Sequence, residues 1–99
     1  MNTEPMILIG GVPAISLAEE YATPLYVYDA SAVRMAFCRI HAAVPYKPRR
    51  VHYACVANSN LAIMRLIKSL GGGIHANTWG DAVVALQAGF GRGTGRIHV

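Results

Sequence analysis

From residue 51 onward this chain alternates short, unbroken apolar runs with amphipathic stripes, and that alternation constrains the fold more than any other feature. Val51-His52-Tyr53-Ala54-Cys55-Val56-Ala57 is nearly continuous apolar sequence, the pattern of a strand covered on both faces in a parallel sheet. Residues 61–70 then place Ile63, Met64, Ile67 and Leu70 on one helical face, with Arg65, Lys68 and Ser69 off it. Asn58 or Asn60 can cap that helix, and Gly71-Gly72-Gly73 ends it, because glycine accepts the left-handed closing turn without a Cβ penalty. Residues 74–77 are expected to form a short strand. Thr78-Trp79-Gly80-Asp81 has the Thr-x-x-acid form of a capping box and opens a helix to about Ala88. Gly89 closes that helix, with Phe90 packing back onto it, and Arg96-Ile97-His98-Val99 reads as a further strand.

Strand, helix, strand, helix, strand with short connections builds a parallel α/β sheet. Residues 51–99 are therefore expected to form a parallel βαβαβ unit whose last strand is an exposed edge. A closed barrel needs eight strands, so this is an arc of one at most.

Before residue 51 the pattern is sparser. Pro24-Leu25-Tyr26-Val27-Tyr28 is aromatic and β-branched and is expected to be a strand outside the βαβαβ unit. Residues 31–44 place Val33, Phe37, Ile40 and Val44 at helical spacing, with Asp29 or Ser31 as cap and Pro45 as stop. The expected organisation is an N-terminal segment over 1–30, then a helix and three strands over 31–99.

Charge is divided along the chain. Residues 1–33 hold Glu4, Glu19, Glu20 and Asp29 and no base, whereas all nine lysines and arginines follow from Arg34, with Asp81 their one acidic companion. Lys47-Pro48-Arg49-Arg50 is the densest basic run. Only Tyr46 accompanies it as a stacking aromatic, so it reads as a solvated loop, and no nucleic-acid partner is expected. A chain 54% hydrophobic and 14% charged belongs in a packed interior and is unlike a disordered tail. No apolar run reaches the ~18 residues of a membrane helix. The apolar stretch Met6–Ala18 has no basic residue before it, so no signal peptide is read, and the expected setting is the cytoplasm with no membrane partner. Cys38 and Cys55 lack metal-like spacing and read as reduced, buried thiols.

Two other patterns carry weaker chemistry. His52, His75 and His98 each fall on an expected strand, where neighbouring strands can bring them together, but no metal-binding motif accompanies them and no metal site is expected. Gly89, Gly91, Gly93 and Gly95 with Arg92 and Arg96 suggest a phosphate loop. Their spacing matches no phosphate-binding motif, and the run precedes a strand where such a loop follows one, so a helix-to-strand connection is the reading.

Three stretches together resemble the fold-type III pyridoxal-phosphate-dependent amino-acid decarboxylases. Ala22-Thr23-Pro24-Leu25-Tyr26-Val27-Tyr28-Asp29 is close to that family's Gly-Thr-Pro-Leu-Tyr-Val-Tyr-Asp. Tyr53-Ala54-Cys55-Val56-Ala57-Asn58-Ser59-Asn60 is close to Tyr-Ala-x-Lys-Ala-Asn-x-Asn. Asn77-Thr78-Trp79-Gly80-Asp81 and Ala85-Leu86-Gln87-Ala88-Gly89-Phe90 resemble its Ser-x-Gly-Glu helix start and Leu-x-Ala-Gly-Phe ending. The resemblance implies the N-terminal portion of a (β/α)8 barrel of the alanine racemase-like kind, incomplete, with pyridoxal phosphate as the family's cofactor. Alanine racemase and the single-domain cofactor-carrier proteins are relatives that share this barrel.

The departures fall at the chemical positions. Val56 stands where the family has its Schiff-base lysine, His75 where it usually has an aspartate, and Asp81 where it has a glutamate. A branched hydrocarbon forms no Schiff base, so no catalytic residue is expected here and no covalently bound cofactor. By resemblance alone, Ala54, His75 and Asp81 are the residues that would line a cofactor mouth. Later family elements, including the phosphate cradle and the substrate-contacting domain, are not in this sequence. The expectation is a fragment or degenerate relative, inactive by itself, pairing as a homodimer or with a complementing chain.

Overall fold

The computed structural model describes residues 6–91 and 96–98, and these fall into two compact units, Met1–Ala32 and Val33–Val99. In the first, β1 (Leu8–Ile9) and β2 (Val12–Pro13) pair antiparallel, with Ile9 opposite Val12. Gly10 and Gly11 form the two-residue turn at φ +59° and +82°. Both turn positions need positive φ in a type I′ hairpin, which glycine supplies without strain. Helix α1 (Ala14–Tyr21) follows directly, with Pro13 at its N-cap.

Residues 24–28 correct the sequence expectation. They are extended chain with no strand assigned, although their composition favours one. A strand is fixed by its ladder partner more than by propensity, and Pro24 has no N–H to donate. Tyr26 and Tyr28 are accordingly exposed. Helix α2 (Ala30–Ala43) comes next, close to the expected 31–44. Asp29 is its cap: Oδ1 accepts from the Ser31 N–H at 2.9 Å and the Ala32 N–H at 3.3 Å. Of the apolar stripe expected on α2, Phe37 alone is buried, while Ile40 and Val44 stay exposed.

The second unit carries the expected βαβαβ order. Strands β3 (His52–Ala54), β4 (Gly73–His75) and β5 (Ile97–His98) form one parallel sheet in sequence order. Register pairs His52 with Gly73, Ala54 with His75, and His75 with His98. No closed barrel forms among the described residues. Helix α3 (Leu61–Ser69) takes Asn60 as cap, its Oδ1 accepting from the Ala62 N–H at 2.9 Å. Helix α4 (Trp79–Gln87) takes Thr78, whose Oγ1 accepts from the Asp81 N–H at 3.1 Å.

Both helices end in the same way. Gly71 and Gly89 adopt φ +88° and +100°. The N–H groups of Gly72 and Phe90 reach back to the Ile67 and Ala85 carbonyls, while those of Gly71 and Gly89 reach Lys68 and Leu86. This is a Schellman closure, and it satisfies carbonyls the helix would otherwise leave bare.

The core lies between one face of the sheet and the two helices. Cys55, Ile74 and Ala76 meet Met64 of α3 and Ala85, Ala88 and Phe90 at the α4 end, with Tyr53 and Ile97 packed alongside. Because side chains alternate along a strand, His52, Ala54, His75 and His98 occupy the opposite face.

Candidate functional site

In open parallel sheets, ligands bind beyond the carboxyl ends of the strands, and barrel enzymes use the same end. Here that end is built by the segments leaving β3 and β4. The first does not continue as a strand. After Ala54 the chain turns into a single 3-10 turn, Cys55–Ala57. The expected strand over 51–57 is thus cut short, and Val56 falls outside the strand alternation that His52 and Ala54 follow.

The cause is local hydrogen bonding. The Asn58 N–H bonds back to the Cys55 carbonyl at 3.1 Å, and the Tyr53 hydroxyl donates to the Asn58 carbonyl at 2.7 Å. Asn58 Oδ1 accepts from the Asn60 N–H, bringing the chain to the α3 cap. Val56 is left 61% exposed at the sheet's carboxyl edge. Buried Cys55 anchors the turn, and its thiol donates to the His75 carbonyl at 3.5 Å. Burial first, and then the charge of Asp81, push the Cys55 thiol up, so it stays protonated and is no nucleophile. Cys38, by contrast, is exposed and not buried as the sequence reading had it.

The β4 side of the edge is a capping arrangement. Asp81 Oδ2 accepts from the Asn77 N–H at 3.3 Å, so the box closes one residue earlier than the usual pattern, in which the acid reaches the cap residue itself. Ala54 and His75 end the adjacent strands β3 and β4, and Val56 and Asp81 lie on the segments that follow them. Asp81 has a structural occupation there. Trp79, 83% exposed, stands in the first turn of α4. The sequence reading treated Trp79 only as part of the box; its exposure depends on helix phase, which the motif does not encode.

The three histidines share the sheet face opposite the core. Ring centroids are 6.0 Å apart for His52 and His98 and 5.9 Å for His75 and His98. Among the described residues no group of three histidine, cysteine, aspartate or glutamate side chains is placed to hold a metal ion. Within the glycine run, Gly89 belongs to the α4 closure, while Arg92, Gly93 and Gly95 lie outside the described residues. No helix of the described residues is long and apolar enough to cross a membrane.

A parallel α/β sheet whose helices begin in side-chain caps after the strands' carboxyl ends defines this chain as part of an α/β protein. Sequence comparison shows which proteins it is similar to. The chain is 45% identical over 91% of its length to a diaminopimelate decarboxylase of Methanothermobacter thermautotrophicus, covering 22% of that protein. It is 38% identical over 90% of its length to the diaminopimelate decarboxylase of Bacillus subtilis, covering 21%, and 41% identical over 79% to that of Neisseria meningitidis, covering 19%. The chain is similar to a segment of these diaminopimelate decarboxylases and spans about a fifth of the length of the relatives it matches. No family model matches, and no solved structure matches.

Proposed function

We propose that this chain supplies opening strands of a cofactor-binding barrel of the diaminopimelate decarboxylase kind, in which Val56 takes the place of the residue that would hold the cofactor. The family reaction is decarboxylation of meso-diaminopimelate to lysine in the cytoplasm, with pyridoxal phosphate as electron sink. The observation that carries the reading is the position of Val56, exposed at the carboxyl edge directly after β3. A Schiff base needs a primary amine, and the two lysines lie elsewhere. Lys47 precedes β3, and Lys68 sits in the last turn of α3, before β4 begins. Asp81 is engaged by the Asn77 N–H, and Ala54 offers only a methyl. These residues do not fit a covalently held pyridoxal phosphate, and no decarboxylation step is assigned to them.

Borohydride reduction of the chain with pyridoxal phosphate, followed by peptide mass spectrometry, tests this. Wild type is expected to give no adduct within residues 51–60, and Val56→Lys is expected to give one at position 56. Labelling of Lys47 or Lys68, which lie away from that edge, does not count as labelling of the site. Turnover of meso-diaminopimelate by the purified wild-type chain above the cofactor-only rate would overturn the reading.

A second reading is favoured by Val56 and Trp79, both exposed on the segments that follow β3 and β4: a second copy or a complementing chain packs there. Sedimentation equilibrium that finds a monomer, unchanged by Trp79→Ser, would exclude the second copy.

A further inference from the structure

The amino-terminal end of the sheet, opposite the edge described above, holds a cavity of about 220 Å³ lined by Arg50, His52, Gly71, Gly72, Gly73 and Arg96. Its residues come from three consecutive strand entrances. Arg50 lies two residues before β3, the glycines lead into β4, and Arg96 immediately precedes β5. Parallel register brings them together: the Gly73 N–H donates to the Val51 carbonyl at 2.9 Å, and the Ile74 N–H to the Arg96 carbonyl at 2.8 Å. The space exists because the middle wall has no side chains. A Cβ on Gly73 would lie 2.8 Å from two atoms of the His52 ring.

The side chains acting on His52 through charge are His98, Arg50, Arg96 and His75, all basic among the described residues. The acid of the Val33–Val99 unit, Asp81, follows the far end of β4 and is engaged by Asn77. Two guanidiniums and an imidazole thus line one cavity, with no acidic side chain among the described residues that line it. We propose that this cavity binds a phosphate-type oxyanion, either free or as the phosphate group of a small ester. Each guanidinium presents a planar fork that matches two oxygens of a tetrahedral anion, which a lysine does not. Backbone donors contribute little, since the Gly71, Gly72 and Gly73 N–H groups already bond to Lys68, Ile67 and Val51. The side chains carry the binding, and the glycines give the anion room.

The test is a titration of the 99-residue chain with inorganic phosphate at constant ionic strength, following the His52 ring resonances by NMR. A saturating shift in the millimolar range is expected, with acetate at equal ionic strength giving a weaker, non-saturating one. Arg50→Gln and Arg96→Gln should each weaken binding about tenfold, and Arg→Lys at either position should restore only part of it. Lys47→Gln, outside the lining, should bind as wild type does. Both arginines are exposed, and far-UV circular dichroism checks that the variants stay folded. Glycerol phosphate binding more tightly than phosphate would assign the site to an ester, and the reverse to the free ion. A His52 shift that never saturates, or equal losses from Lys47→Gln and the arginine variants, would overturn the proposal in favour of diffuse charge attraction.

Discussion

Phe37 lies so close over Gly72 that a methyl group added there would sit 2.7 Å from its Cε2 atom, and equally close to Ile67 Cγ2. Phe37 is the buried residue of α2, so this contact seats the helix on the turn between α3 and β4. Both neighbours are core side chains with little freedom to retreat. Gly72→Ala should therefore destabilise the chain by about 1–3 kcal/mol through overpacking, read as a lower urea midpoint at unchanged slope. Gly11→Ala, with open space around it but φ +82°, tests backbone strain alone in the other unit.

The Thr78 cap should be worth about 1 kcal/mol. Thr78→Ala removes the oxygen that accepts from the Asp81 N–H, whereas Thr78→Ser keeps it. The pair of variants, compared by urea unfolding, separates the cap from the lost methyl. A serine variant as unstable as the alanine variant would show that the hydroxyl contributes nothing.

Stability should fall on acidification in two separable windows. Burial, then the neighbouring basic side chains of His98, Arg50, Arg96 and His75, hold the His52 imidazole below its ordinary 6.5. A lowered folded-state value means that the unfolded chain binds the proton first, so this contribution is complete above 6.5 and is lost as pH falls from there. Asp29 is held below its ordinary 3.8, chiefly by the Ser31 hydroxyl and then the Ala32 N–H, so its contribution is lost only in stronger acid. Urea midpoints at pH 8, 6 and 4.5 in phosphate-free buffer should decline, and His52→Gln should flatten that decline. Saturating phosphate should raise the His52 value and shrink the same window.

The thiols should differ sharply in reactivity. An aromatic disulfide reagent at pH 8 should modify exposed Cys38 within minutes and reach Cys55 only in denaturant, because Cys55 is fully buried and its thiol is pushed up. Equal rates would mean that the core opens readily.

Val56→Lys should leave stability within about 0.5 kcal/mol of wild type, because the side chain is exposed in a 3-10 turn and fills no core space. That neutrality makes the cofactor-trapping comparison a test of chemistry separate from folding.

The second unit was largely legible from sequence because its instructions are local. Asn60 and Thr78 cap helices within two or three residues, and Gly71 and Gly89 close them within five. Parallel pairing followed from unbroken apolar runs. What escaped was set by partners distant in sequence or by competing local bonds. Propensity favours a strand at Leu25–Tyr28, but no ladder is there to hold one. The hairpin at Gly10-Gly11 lay inside an apolar stretch whose two-residue strands are too short to show an alternation. At Val56, the Tyr53 and Asn58 hydrogen bonds end the strand, and no count of apolar residues carries that information. Of the candidate edge, the order of residues was readable. The diversion of Asp81 to Asn77 was not.

The paired glycine closures also bear on how the chain is made. Each returns the backbone toward the next strand using atoms only a few residues apart, and each parallel pairing then joins segments about twenty residues apart. Loop-closure entropy at that spacing is modest and nearly equal for the two crossovers. A chain emerging from the ribosome can therefore lay down β3 beside β4 before β5 has been synthesised. The register by itself allows the strands to be added in two similar steps, in order of synthesis.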